Sequence, residues 1–157
     1  MTLAQKLEVP VAVPFNIYTD GACKGNPGPG GWGVHAVAAD GSVLFEAFGG
    51  DKSTTNNKME LQGVLEALSR IPAGSTLTIH TDSQYVMKGW NEWLPGWKRK
   101  GWRKADGKPV ANVELWKLFE PLMAKHKAAI AWVRGHNGDP GNERADVLSN
   151  MGVDSIL

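Results

Sequence analysis

Cysteine is almost absent from this chain. Cys23 is the only one among 157 residues, which excludes a disulfide framework and a thiolate metal centre. Long apolar runs are missing as well. Nowhere do about 18 apolar residues follow one another, the length that a membrane-crossing helix needs. Met1 to Pro14 also lacks the apolar stretch behind basic residues that marks a secretory leader, so a soluble, cytoplasmic protein is expected. Neither sign of charge is in excess, with 17 Lys and Arg against 16 Asp and Glu; the balance alone does not suggest nucleic acid. No G-x-x-x-x-G-K-[ST] string occurs, which removes the phosphate-cradling loop of nucleotide hydrolases. Gly28-Pro-Gly-Gly-Trp-Gly33 fits G-x-G-x-x-G in letters only. It leads into a strand pattern and places Pro29 where a helix should start, so no organic cofactor is expected.

What is present points to one α/β domain. Hydrophobic residues make up 42% and charged residues 21%, enough for a single packed core over this length. There is no internal repeat and no linker; residues 1–13 read as an N-terminal extension and 14–157 as the domain. Val11, Val13, Phe15 and Ile17 alternate in a strand running to Asp20, where Gly21 is expected to break it. Gly25 to Gly33 reads as a loop. Two alternating segments follow, Val34 to Ala39 and Val43 to Phe48, joined by the hairpin signal Asp40-Gly41. Leu61, Val64, Leu65 and Leu68 fall at helical spacing, in a helix that ends before Pro72. Thr76 to Thr81 and Ile130 to Val133 read as strands. A helix spans about Asn112 to Met123 with Val113, Trp116, Leu118 and Phe119 on or near its apolar side, and another starts near Gly141 with Ala145, Leu148 and Met151 inward. The alternation predicts a mixed sheet flanked by helices.

Four carboxylates occupy unusual places. Asp20 and Asp82 each follow an apolar strand, at the sheet edge where ligands of open α/β folds bind; ordinary turn and cap chemistry would also put Asp there. Glu60 shares a helical face with the buried Val64 and Leu68, although a first-turn Glu is also favoured by the helix dipole. Asp146 either faces the sheet or lies on a solvated flank. Together, with no ligand-spaced Cys or His, the four suit Mg²⁺, or Mn²⁺, better than Zn²⁺. Two such ions about 3.5–4 Å apart are the arrangement for in-line phosphoryl transfer.

Charge is concentrated elsewhere. Lys98, Arg99, Lys100, Arg103, Lys104 and Lys108 face the single acid Asp106 within eleven residues. Trp90, Trp93, Trp97 and Trp102 interleave with this stretch or precede it, as a platform for a phosphate-sugar backbone or as a small satellite core.

Long strings of the sequence resemble the type 1 ribonucleases H: Tyr18-Thr-Asp-Gly-Ala-Cys-Lys-Gly-Asn-Pro-Gly-Pro-Gly-Gly-Trp-Gly33, Thr55-Asn-Asn-Lys-Met-Glu-Leu61, Thr81-Asp-Ser-Gln-Tyr-Val86, Trp132-Val-Arg-Gly-His136 and Gly141-Asn-Glu-Arg-Ala-Asp146. The resemblance covers roughly residues 14 to 151. It implies a ribonuclease H-like fold, a five-stranded mixed sheet flanked by helices with a protruding basic handle. It implies an endonuclease that hydrolyses the RNA strand of an RNA/DNA hybrid with two metal ions, leaving 5'-phosphate and 3'-hydroxyl ends; apart from the resemblance, a monomer is expected. Asp20, Glu60, Asp82 and Asp146 match the metal-binding carboxylates of that family, and His136 its mobile catalytic histidine. Cys23, Asn26, Asn56 and Gln84 match residues along the hybrid's minor groove, where 2'-hydroxyls are read. Trp93 matches the position against DNA sugars, Trp97, Lys98, Arg99, Lys100 and Trp102 belong to the handle, and Thr55 and Asn112 match binders of a DNA phosphate. Ser53 stands where some relatives carry Arg, which puts the strength of that pocket in doubt. A non-catalytic hybrid-binding module and another metal-dependent nuclease of the same fold are the alternatives; a module would be expected to lack one or more of the four carboxylates.

Overall fold

The computed structural model describes residues 13–135 and 138–157; apart from Val13, the expected N-terminal extension lies outside this range. The elements in chain order are β1 (Phe15–Cys23), β2 (Gly28–Val37), β3 (Val43–Thr54), α1 (Asn56–Ser69), β4 (Thr76–Thr81), α2 (Gln84–Lys88), a π-helical turn (Gly89–Trp93), α3 (Leu94–Arg99), α4 (Val113–Ala124), β5 (Lys127–Trp132) and α5 (Pro140–Asp154). The five strands form one sheet in the order β3-β2-β1-β4-β5. β1, β2 and β3 pair antiparallel, whereas β4 runs parallel to both β1 and β5. The mixed α/β sheet expected from the alternation of patterns is the observed architecture.

Local chemistry accounts for the joints. At the β2–β3 turn the Asp40 carboxylate accepts the Ser42 backbone N–H at 2.9 Å and its hydroxyl at 2.6 Å, and Gly41 takes φ +90°, a region that costs a side chain but not glycine. Thr55 caps α1 by accepting the Lys58 N–H at 3.2 Å. The stripe Leu61, Val64, Leu65 and Leu68 is buried as its spacing predicts, against Phe15 and Ile17 of β1 and Ile79 of β4. α4 adds Leu115, Trp116, Phe119 and Met123 to this core. Leu118 is exposed instead of joining it, because the row 115, 119, 123 already fills the inward face at i, i+4, i+8. Trp116 is fully buried and lies so close to Gly89 that any Cβ at 89 would overlap its ring.

The glycine-rich stretch departs most from the sequence reading. Only Lys24 to Pro27 lies between strands; from Gly28 onward the chain is already β2. Gly25, at φ +78°, serves the turn, but Gly30, Gly31 and Gly33 of β2 serve packing. Gly31 and Gly33 face the backbone of α5, and a Cβ built on Gly33 would stand 2.5 Å from the Ala145 carbonyl oxygen and 2.6 Å from the Ser149 N. The helix therefore rests directly on the strand, with Ala145, Leu148 and Val153 buried beneath it, while Met151, expected inward, is exposed. The small residue Gly152 takes the inward place, its Cα side pressed against the Gly49 carbonyl.

Two glycine substitutions separate these roles. Gly33→Ala should destabilise by about 3 kcal/mol, the upper range for overpacking, whereas Gly41→Ala, with open space around it, should cost only about 1 kcal/mol of backbone strain. Urea unfolding measures both, and equal losses would contradict close helix-on-strand packing.

Candidate active site

The parallel register of β1 and β4 assembles the acidic site. Their last pair is Thr19↔Thr81, so the next residues, Asp20 and Asp82, are neighbours where β4 leaves the sheet. β1 itself does not stop at Gly21. It continues to Cys23 because β2 goes on pairing with it, Asp20 opposite Gly33 and Cys23 opposite Gly30. Gly21 is needed for proximity: a Cβ there would lie 2.5 Å from the Glu60 backbone N, so the missing side chain lets the start of α1 close onto β1. Asp20, Glu60 and Asp82 can each offer an oxygen such that all lie within 4.8 Å of one another. Asp146, on α5, lines the same cleft but is outside that trio. The structure thus brings all four expected carboxylates to one place, three of them tightly.

The site is electrostatically unfavourable when it holds no cation. Asp20 is 5% exposed, and burial, followed by the charge of Asp82, pushes its carboxyl up to about 8. Burial first, then Asp20 and Asp82, also raises Glu60 well above its ordinary value. Glu60 Oε1 is buried with no hydrogen-bond partner, and such an atom normally costs about 1–3 kcal/mol. A set of oxygen donors only, mutually repelling and with one oxygen orphaned, is what a hard divalent cation would satisfy. The residues present fit such an ion.

The cleft around them has a volume of about 390 Å³ and is lined also by Gly21, Asn56, Asn57, Ser83, Gln84 and Tyr85. Of these, Asn57, Ser83 and Tyr85 carried no signal that singled them out in the sequence. Ser83 caps α2, accepting the Val86 N–H at 3.1 Å, and so turns the chain away just after Asp82. His136 and Asn137 lie outside the described residues. The neighbouring Gly135 packs on Asp82, where a Cβ would be 2.8 Å from Oδ2.

The expected substrate residues divide by what they touch. Asn26 Oδ1 accepts the Asn56 N–H at 3.1 Å, which joins the β1–β2 connection to the start of α1. The Cys23 thiol donates to the Gly25 carbonyl at 2.7 Å, within reach of the Gly28 and Thr54 carbonyls; it is committed to holding this loop. Along the basic stretch, Trp93, Trp97 and Trp102 form a chain of ring contacts at 5.8 and 6.5 Å, and Trp97 meets Trp116 at 5.3 Å. Trp90 stacks on Phe119. The tryptophans therefore form a satellite of the core, and two of them, Trp93 and Trp97, also line a second groove, about 340 Å³, with Lys100, Arg103 and Lys104. Lys98 points elsewhere, to Glu120 at 2.8 and 3.0 Å. Arg99 is exposed.

A sheet ordered β3-β2-β1-β4-β5, with helices packed against it and carboxylates gathered where its two central parallel strands part, is a ribonuclease H-like fold. The RNase H family model matches residues 13–154, and the chain belongs to that family. It is 58% identical over 147 residues to the Ribonuclease H of Bordetella avium (strain 197N), covering 94% of this chain and 95% of that protein. It is 59% identical over 143 residues to the Ribonuclease H of Paracidovorax citrulli (strain AAC00-1), covering 90% and 95%. The crystal structure of LC9-RNase H1, a type 1 RNase H with the type 2 active-site motif, aligns with a TM-score of 0.82 at 30% identity over 96% of this chain and 76% of that one.

The strain in the acidic site sets a pH dependence. Between 3.8 and about 8 the folded chain holds Asp20 protonated while the unfolded chain has released that proton. The folded state then binds more protons, so stability without metal falls as pH rises through this window. Asp20→Asn removes the charge and should raise stability without metal at pH 8 by about 1–2 kcal/mol, while flattening the slope. Thermal melts in chelator from pH 4 to 8 check both; a parent protein that gained stability over that range would contradict the account.

Proposed function

We propose that this chain hydrolyses the RNA strand of RNA/DNA hybrids in a divalent-metal-dependent reaction, with Mg²⁺ as the working ion, leaving 5'-phosphate and 3'-hydroxyl ends. The observation that carries the reading is the buried trio Asp20, Glu60 and Asp82 with its orphaned Glu60 oxygen, on the fold and within the family just described. Asp20, Glu60 and Asp82 hold the ion, with Asp146 contributing from α5. When bound, the ion supplies Lewis-acid polarisation of the phosphoryl oxygen and a lowered pKa for attacking water. An all-oxygen donor set favours Mg²⁺ over softer ions, and Mn²⁺ is its nearest substitute.

The rest of the work is positioning. Asn26, its carbonyl oxygen committed to the Asn56 N–H, keeps its amide N–H groups for a 2'-hydroxyl or base edge. Gln84 and Asn56 line the acidic cleft. Cys23 acts through the loop it ties, not through a free thiol. Thr55 accepts a backbone N–H through its oxygen, which leaves its hydroxyl proton to donate to a DNA phosphate beside Asn112. Trp93 and Trp97, with Lys100 and Arg103, take the backbone further along, Trp93 against sugars and the cations against phosphates. Arg99, Trp102 and Lys98 complete the handle, Lys98 after leaving Glu120. His136 moves a proton at the leaving oxygen. Among the described residues no helix is long and apolar enough to cross a membrane; the working form proposed is a cytoplasmic monomer.

End-labelled RNA/DNA hybrid, duplex RNA and duplex DNA, each with Mg²⁺ and with chelator, test this against Asp82→Asn. The expected result is Mg²⁺-dependent cutting of RNA in the hybrid alone, lost in the variant while hybrid binding persists. Binding without cutting by the parent would indicate an inert module, and cutting of duplex DNA a broader nuclease. His136→Ala should slow turnover roughly 10²-fold without abolishing it, since water partly replaces a proton carrier; an unchanged rate would remove His136 from the mechanism.

A further inference from the structure

The hydroxyl of Tyr85 is a junction that the acidic cleft does not explain. Tyr85 lines that cleft, yet the bonds of its oxygen run to the start of α4. Trp116 Nε1 donates to it at 2.8 Å and Asn112 Nδ2 at 3.2 Å, and the hydroxyl reaches the Ala111 carbonyl at 3.4 Å. The chemistry of these partners leaves one arrangement. An indole N–H can only donate, so it takes one lone pair of the phenolic oxygen. A carbonyl can only accept, so it takes the one hydroxyl proton. The remaining site on the oxygen is a lone pair, and Asn112 must present its NH₂ and not its carbonyl oxygen.

Asn112 is itself unusual. It has φ +57°, a left-handed conformation that Asn tolerates better than other side chains but that still costs energy. It stands at the N-cap of α4 without using its side chain to cap that helix. Its amide is turned to Tyr85 instead, and the second N–H of the NH₂ group is left for another acceptor. That N–H and the free backbone N–H groups of a twelve-residue helix start at the same point, an arrangement that favours an anion.

We propose that the Tyr85 hydroxyl is a positioning group for substrate: it fixes the orientation of the Asn112 amide so that an N–H, and not the carbonyl oxygen, meets a phosphate of the DNA strand. The inference rests on the reading that Asn112 meets such a phosphate. Without the hydroxyl, the amide can turn over and offer a repelling oxygen to the anion. The Tyr85 ring would keep its own contacts with Trp93 and Trp116, at 6.2 and 5.5 Å between centroids, so Tyr85→Phe isolates the hydroxyl.

Hybrid affinity of the full chain is measured by fluorescence anisotropy with a labelled RNA/DNA duplex in chelator, for the parent, Tyr85→Phe, Asn112→Ala and the double variant. All measurements are made well below each variant's melting temperature. Tyr85→Phe is expected to weaken binding roughly fivefold, the scale of one well-placed hydrogen bond. Asn112→Ala should weaken it at least as much, and the double variant no more than Asn112→Ala alone. Unchanged affinity in Tyr85→Phe alongside a loss in Asn112→Ala overturns the positioning role while sparing the phosphate contact. Unchanged affinity in Asn112→Ala overturns the contact itself and the inference with it. Additive losses overturn the inference too, because the hydroxyl would then act through some other group.

Discussion

Three carboxylates confined within 4.8 Å of one another, one of them 5% exposed, cannot all be charged without strong mutual repulsion unless a cation lies among them. The fold has to be stable enough elsewhere to hold them there, and that requirement shapes much of the molecule. Asp20 and Asp82 are adjacent because β1 and β4 are parallel and in register to Thr19↔Thr81, so the sheet sets the spacing of their backbones. Glu60 is held by a helix whose buried stripe is anchored in the main core. On the proposed reading, stability is traded for a cation site, and the expected fall in stability of the ion-free protein with rising pH is the physical signature of that trade.

Close backbone approach is how the fold makes that confinement rigid. Gly21 admits α1 to β1 on one side, while Gly31 and Gly33 admit α5 to β2 on the other. At these glycines the two helices that carry Glu60 and Asp146 meet the strands backbone to backbone. Small movements of either helix are resisted by direct backbone contact, which suits a site where an ångström of displacement matters. On the far side of the cleft, the Tyr85 hydroxyl and the ring contacts from Trp93 to Trp116 tie the basic groove to the core. The acidic cleft and the basic groove are consequently joined through α2 and the π-helical turn that follows it.

Much of this was legible in the sequence, and what was not has physical causes. Glu60 could be read as inward-facing because helical spacing relates it to Val64 and Leu68, and both are buried. The hairpin at Asp40-Gly41 followed from turn chemistry. The strand character of Gly28 to Gly33 did not, because glycine signals turning and close packing with the same letter, and the α5 backbone that decides between them is more than a hundred residues away in the chain. Met151 and Leu118 fit a helical stripe by spacing, but Gly152 and the row of Leu115, Phe119 and Met123 had already filled the inward faces. Lys98 counted as a free cation in the basic run; its pairing with Glu120 is a tertiary contact that no local pattern announces. Tyr85 carried no signal of its own, since the role proposed for it depends on Asn112 and Trp116 reaching one oxygen.

The most direct test of the acidic site is a crystal soaked with Mn²⁺ and measured for anomalous scattering. The account predicts an anomalous peak in contact with oxygens of Asp20, Glu60 and Asp82, and its loss in Asp20→Asn. A peak that persists elsewhere while this cleft stays free of metal, in protein that still cleaves with Mn²⁺, would contradict it.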